Sequence, residues 1–214
     1  NLDLACIIFT LQSPETSLGF LDRFLACCEA YNIPVLILFN KIDLLNFEEV
    51  ELVEELQAMY ENLGYQTLQV SSAEKLNLDK LQEILKDKTC VFFGHSGAGK
   101  STLANALQPD LNLKTNEISE THNKGKHTTT FAQMHFWHFG GAVIDTPGVR
   151  EFAMIDVEKE EIQHYFPEIF EKGRECKFHN CKHINEPKCA VLEALETGEI
   201  LESRYITYLK LMEE

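Results

Sequence analysis

The sequence predicts an α/β fold, a doubly wound and mostly parallel sheet followed by a small helical domain, and three observations carry that reading. Short β-branched or aromatic runs alternate with amphipathic stretches through the first half of the chain. A glycine-rich loop, GHSGAGKS at 94–101, joins one such run to a helical stretch. Beyond Arg150 the strand-like runs stop, and cysteines and histidines gather in a polar segment.

Taken in order, LACIIFT (4–10), IPVLILFN (33–40), YQTLQVSS (65–72) and TCVFFG (89–94) are short, apolar and bounded by turn residues, as strands buried on both faces should be. Residues 17–31, 47–63 and 77–87 repeat apolar positions every three or four residues and predict the connecting helices. In the second of them Leu52, Leu56, Met59 and Leu63 are expected to form one buried face. A further helix is expected over 100–107. Residues 108–130 are polar and aperiodic, the mark of a functional loop. FAQMHFWHF (131–139) and AVIDTPG (142–148) flank Gly140-Gly141, a link suited to a hairpin. The expected division is an α/β domain at 1–152 and a small helical domain at 153–214.

Composition narrows the function. With 214 residues and 44% hydrophobic content the chain can bury a core, and no apolar run approaches the roughly 20 residues that cross a bilayer. The first residues lack the basic start of a secretory signal, so a cytoplasmic protein with no membrane partner is expected, as a monomer. No Met precedes Asn1, and the chain is expected to begin inside a longer gene product. The net charge of -15 argues against wrapping nucleic acid by charge alone. Residues 171–190 run against that trend, with five basic residues (Lys172, Arg174, Lys177, Lys182, Lys188) and three acidic ones. Cys6, Cys27, Cys28 and Cys90 sit in apolar periodic segments and read as buried hydrophobes.

The motif G-x-x-x-x-G-K-[ST] is met at Gly94–Ser101, with a strand before it and a helix after it. Backbone N–H groups of such a loop surround phosphate oxygens at the positive end of the helix dipole. Gly94, Ser96, Gly97, Ala98, Gly99, Lys100, Ser101 and Thr102 are the candidate phosphate contacts, with Lys100 on the β and γ phosphates and Ser101 on Mg²⁺. DTPG follows at Asp145–Gly148, where Asp145 would act on Mg²⁺ through a water and the Gly148 amide would approach the γ-phosphate. GKHTTT (125–130) offers Thr128 or Thr129 to complete the Mg²⁺ shell, the spacing not deciding between them. In NKID (40–43) Asp43 can accept from the N1 and N2 donors of guanine, and Asn40 and Lys41 would shape its pocket. SSA (71–73) can supply the Ala73 N–H to the guanine O6, with Ser72 a further candidate nucleotide contact. Together these specify GTP and GDP as ligands. The base readers precede the phosphate loop, so the order of motifs is circularly permuted, which a compact fold with neighbouring termini tolerates.

In CKFHNCKHINEPKC, Cys176, Cys181, His183 and Cys189 form C-x4-C-x-H-x5-C, a donor set suited to tetrahedral structural Zn²⁺, with His179 the rival nitrogen ligand. NKID, SSA, GHSGAGKST, GKHTTT, DTPGVREF and the cysteine knot together resemble the RsgA (YjeQ) family of circularly permuted P-loop GTPases, across nearly the whole chain. The resemblance implies hydrolysis of GTP to GDP stimulated by the 30S ribosomal subunit, a late role in small-subunit maturation, and contact with 16S rRNA. It implies Lys100, Thr129 and Asp145 as catalytic residues, with His127 placing the attacking water. Val149 stands where many GTPases carry a water-orienting Gln, so unassisted turnover is expected on the order of 10⁻⁴ to 10⁻³ per second. The family's N-terminal OB-fold has no counterpart before Leu4. Two alternatives stand beside this reading, a GTP-dependent binding module without a hydrolytic cycle and an ATP-using P-loop enzyme.

Overall fold

The computed structural model describes residues 2–113, 133–145 and 157–214. They form two compact units, Asn1–Thr16 with Ile33–Glu151, and Ser17–Asn32 with Phe152–Glu214.

The first unit is built on strands β1 (Leu4–Phe9), β2 (Val35–Asn40), β3 (Gln66–Val70), β4 (Thr89–Phe93), β5 (Gln133–Phe136) and β6 (Ala142–Asp145). Every residue of β1 and of β2 is buried, as a sheet covered on both faces requires. The strand order is β3-β2-β1-β4-β6-β5, parallel except for β5, which pairs antiparallel with β6 through the hairpin expected around Gly140-Gly141. Winding changes direction between β1 and β4, and in sheets of this kind ligands bind beyond the carboxyl ends of the strands at that point.

Helix α2 (Phe47–Asn62) opens with a reciprocal capping box. The Asn46 side chain accepts from the Glu49 N–H at 3.0 Å, and Glu49 accepts from the Asn46 N–H at 2.8 Å. Its buried face is Val53, Leu56 and Tyr60. Leu52 and Met59 are 44% and 39% exposed, so the apolar stripe read from spacing is only half core. Helices α3 (Leu78–Leu85) and α4 (Lys100–Leu107) complete the unit. Leu81, Leu85 and Leu103 pack with alternate residues Leu4, Cys6 and Ile8 of β1 and with Trp137.

The second unit is helical. Helix α1 (Leu18–Ala30) lies between β1 and β2 in sequence, yet it groups with α5 (Pro167–Gly173), α6 (Ala190–Glu196) and α7 (Glu202–Glu213). Ser17 caps α1, its hydroxyl accepting from the Phe20 N–H at 3.2 Å. The core gathers Ala26, Ile162, Phe166, Ile169, Val191 and Tyr208. Through it runs Arg204, fully buried, which grips Glu168 with two bonds of 2.7 and 3.0 Å and lies 3.8 Å from Asp22 of α1. The guanidinium also stacks 4.7 Å above the Phe166 ring.

Candidate functional site

The glycine-rich loop leaves the carboxyl end of β4 and delivers Gly99 as the N-cap of α4. Its tight path depends on Gly99, whose φ of 102° few side chains adopt. The Lys100 ammonium is drawn back over the loop, 2.7 Å from the Gly94 carbonyl and 2.9 Å from that of His95. Ser101 and Thr102 follow in the first turn of α4, where unpaired helix N–H groups favour anions.

Asn40, at the end of β2 and 4% exposed, donates its amide to the Ala98 carbonyl at 2.9 Å. Its Oδ1 is buried without a hydrogen-bond partner among the described residues. Lys41 follows in a left-handed conformation, φ 63°, and its ammonium donates to the Gly97 carbonyl at 2.7 Å and to the Ser13 carbonyl. Burial lowers the Lys41 pKa, opposed by the negative charge of Asp43. Asp43 accepts from the Ser71 hydroxyl, which itself accepts the Glu74 N–H at 3.1 Å. Ser71 is fully buried and bridged by backbone bonds to Leu76, which makes the turn after β3 a rigid support for the carboxylate. The Ser72 hydroxyl is buried with no hydrogen-bond partner among the described residues, and Ala73 is exposed beside it. The two motifs that stand in inverted order along the chain therefore meet: Asn40 and Lys41 bind the carbonyls of Ala98 and Gly97.

In the helical unit, the ligand atoms of Cys176, Cys181, His183 and Cys189 lie within 4.8 Å of one another. Sulfur–zinc bonds of about 2.3 Å at the tetrahedral angle would set sulfurs roughly 3.8 Å apart, and sulfur and nitrogen roughly 3.6 Å apart. Cys176 and Cys189 sulfurs are 3.8 Å apart, and His183 Nδ1 is 3.6 and 3.4 Å from them. The residues thus fit Zn²⁺. His183 Nε2 lies 3.1 Å from Gln163 Oε1, so that Nε2 carries the proton and Nδ1 is left as the ligand. Tyr205 and Tyr208 donate to the carbonyls of His183 and Lys182 at 2.7 and 2.9 Å. Burial would raise the Glu186 pKa, but the N–H groups of Lys182, Ile184, Glu186 and Asn185 together hold it down at about 2. His179 is exposed and stands outside the cluster, leaving His183 as the nitrogen donor.

The family model described as RsgA GTPase matches residues 1–155. The chain belongs to the RsgA GTPase family. Curated RsgA relatives agree along its whole length. It is 48% identical over 213 residues to a small ribosomal subunit biogenesis GTPase of Christiangramia forsetii, covering 100% of this chain and 68% of that protein. It is 50% identical over 215 residues to the corresponding protein of Flavobacterium psychrophilum, covering 65% of it. The chain thus spans about two thirds of the length of these RsgA proteins. Among solved structures, YjeQ from Thermotoga maritima matches with a TM-score of 0.84 and 38% identity, over 99% of this chain and 70% of that one. YloQ, a circularly permuted GTPase, matches with a TM-score of 0.79 and 36% identity, over 99% of this chain and 67% of that one. The circularly permuted RsgA fold expected from the motif order is therefore established.

Of the RsgA motif residues, His127, Thr128, Thr129, Gly148 and the side chain of Asp145 lie outside the described residues. The structure adds residues that sequence reading passed over. Ser71 holds Asp43, and its only sequence signal was its place at the head of SSA. Ser13, in the loop after β1, reaches Lys41 from a stretch that matches no motif.

Proposed function

We propose that this chain binds GTP with Mg²⁺, hydrolyses it to GDP and phosphate, and acts in the cytoplasm on the maturing 30S subunit. The observation that carries the reading is the bonding of Asn40 and Lys41 to the carbonyls of Ala98 and Gly97. These bonds support a single site in which the NKID segment reads guanine and the glycine-rich loop holds the phosphates. Relatives along the full chain named small ribosomal subunit biogenesis GTPase support the partner.

Asp43, oriented by Ser71, accepts from the two guanine donors that adenine lacks. Ser72 and the Ala73 N–H meet the guanine O6. Lys41 lies along the base, and its bonds to two carbonyls hold it there. The N–H groups of Gly94–Ser101 cradle the phosphates. Lys100 exchanges its carbonyl partners for β- and γ-oxygens, where it stabilises the charge that builds as water adds to the γ-phosphorus and the bond to the β-γ bridging oxygen breaks. His127 places that water. Ser101, Thr128 or Thr129, and Asp145 would hold Mg²⁺, which neutralises charge on the β and γ phosphates when bound.

Cys176, Cys181, His183 and Cys189 would hold Zn²⁺ as a structural centre. Around it Lys177, whose ammonium lies 5.2 Å from the Phe178 ring centre, and exposed Lys182 and Lys188 support contact with 16S rRNA from an otherwise acidic chain.

Phosphate release from GTP and ATP, measured with and without 30S subunits, tests the reading. It expects slow turnover of GTP alone, a large gain with 30S subunits, and no turnover of ATP. Equal use of ATP would overturn the base assignment, and no gain with 30S subunits would overturn the partner.

A further inference from the structure

We propose that Thr10 and Thr16 are positioning residues of the nucleotide site, pinning the loop after β1 so that its Ser13 carbonyl shares the Lys41 ammonium with the phosphate-loop carbonyl of Gly97. The inference rests on the nucleotide reading above and extends it to residues outside every motif.

The loop at 10–16 is closed on itself by its two threonines. The Thr16 N–H donates to the Thr10 carbonyl at 2.9 Å, and the Thr10 N–H donates to Thr16 Oγ1 at 3.3 Å. The Thr10 hydroxyl donates to the Pro14 carbonyl at 2.5 Å. The two hydroxyls are 3.3 Å apart, and since the single proton of Thr10 is committed to Pro14, Thr16 donates between them. Thr10 and Thr16 are 1% and 3% exposed, so water does not replace a bond lost between them, and the Pro14 carbonyl is half-buried.

What the closed loop holds in place is Ser13, in a left-handed conformation with φ 56°, with its carbonyl on Lys41. A Cβ added at Gly97 would lie 3.5 Å from the Pro14 ring, which places the loop alongside the phosphate loop. Sheet order explains the neighbourhood. The winding reverses between β1 and β4, so the segments leaving these two strands are the two walls of the crevice where a ligand enters. Lys41 spans them. An ammonium has three donors and a high cost of leaving water, so a half-buried Lys41 stays along the base only while both carbonyls receive it. Thr→Val keeps the shape of the side chain and exchanges the hydroxyl for a methyl, leaving the half-buried Pro14 carbonyl, or the buried Thr10 N–H, without its partner.

The test is binding of a fluorescent GDP analogue, with steady-state turnover of GTP, by the full chain and its Thr10→Val, Thr16→Val, Thr10→Ser and Lys41→Ala variants. Thr10→Val and Thr16→Val are expected to raise Kd and KM together, about five- to tenfold, while kcat moves less than about twofold. Thr10→Ser, which keeps the hydroxyl, is expected to restore wild-type affinity. Because the threonines act through Lys41, the Thr10→Val/Lys41→Ala double variant should bind no more weakly than Lys41→Ala alone. If Thr10→Val does not fold, Thr16→Val is read in the same way. Unchanged affinity in a folded Val variant, or effects of Thr10→Val and Lys41→Ala that multiply, would overturn the inference. Failure of the wild-type chain to bind the analogue would instead overturn the nucleotide reading, and this inference with it.

Discussion

Replacing Gly99 by Ala should loosen the joint between the NKID segment and the glycine-rich loop, and the size of the effect follows from the structure. The φ of Gly99 is 102°, where a side chain costs about 1–2 kcal/mol. A Cβ there would lie 2.5 Å from Asn40 Nδ2, inside van der Waals contact. The Asn40 amide is the end of a side chain and can turn away, but it is buried and bonded to the Ala98 carbonyl at 2.9 Å. Turning away strands two buried polar groups, which costs about 1–3 kcal/mol. The total is about 2–5 kcal/mol. Gly64→Ala supplies the comparison, because Gly64 has a similar φ of 94° with nothing within 4 Å of the added Cβ. That variant should lose the backbone cost alone, about 1–2 kcal/mol. Urea unfolding followed by fluorescence of Trp137 makes the comparison clean, since Trp137 is the only tryptophan in the chain and is buried in the core of the sheet unit. Equal losses in the two variants would refute the argument that Asn40 is displaced.

Three further outcomes are expected. On the zinc reading, Cys181→Ser, or a strong zinc chelator, should remove one zinc ion per chain by metal analysis and unfold the helical unit before the sheet unit, because a structural metal supplies folding free energy. Arg204→Met should destabilise the helical unit by about 3–5 kcal/mol in urea, because the Glu168 and Asp22 carboxylates stay buried without their cation; the triple variant Arg204→Met/Glu168→Leu/Asp22→Leu should recover most of the loss. Burial chiefly pushes the Cys27 thiol up to about 11 and the Cys28 thiol up to about 12, so the folded state holds these protons more tightly than the unfolded chain. Their contribution is fully present below about pH 8.5 and is lost as pH rises toward 11 and 12; stability measured from pH 8 to 11 should fall, and less steeply in Cys27→Ala/Cys28→Ala.

Much of the sheet unit was legible because its signals are local. Apolar runs read at 4–10, 33–40, 65–72 and 89–94 became β1 to β4 with ends shifted by a residue or two, and the glycine pair at 140–141 turned the hairpin. Helix periodicity gave α2 its length but not its face. Leu52 and Met59 share the spacing of Leu56, and the cover available to each depends on residues distant in sequence. The same limit hid Arg204. Nothing near it announces that its carboxylates come from Asp22 and Glu168. The grouping of α1 with the C-terminal residues likewise has no local signature. Around NKID and the glycine-rich loop, the motifs were legible as spacings, whereas the residues that bond to them from outside those spacings were not. Ser71, Ser13, Thr10 and Thr16 are tied in by a few hydrogen bonds to residues near and far in sequence, and such bonds leave no spacing rule behind.

Helix α1 has a bearing on how this chain could be dissected. Its residues enter the helical unit at Ser17 and leave it at Asn32, and the chain enters that unit again at Phe152. A truncation that kept only the first 152 residues would carry away α1 while discarding Arg204, leaving Asp22 without its counter-ion. A genetic split at the obvious boundary would therefore yield two damaged halves. Inserting a protease site there would nick the polypeptide without freeing a domain.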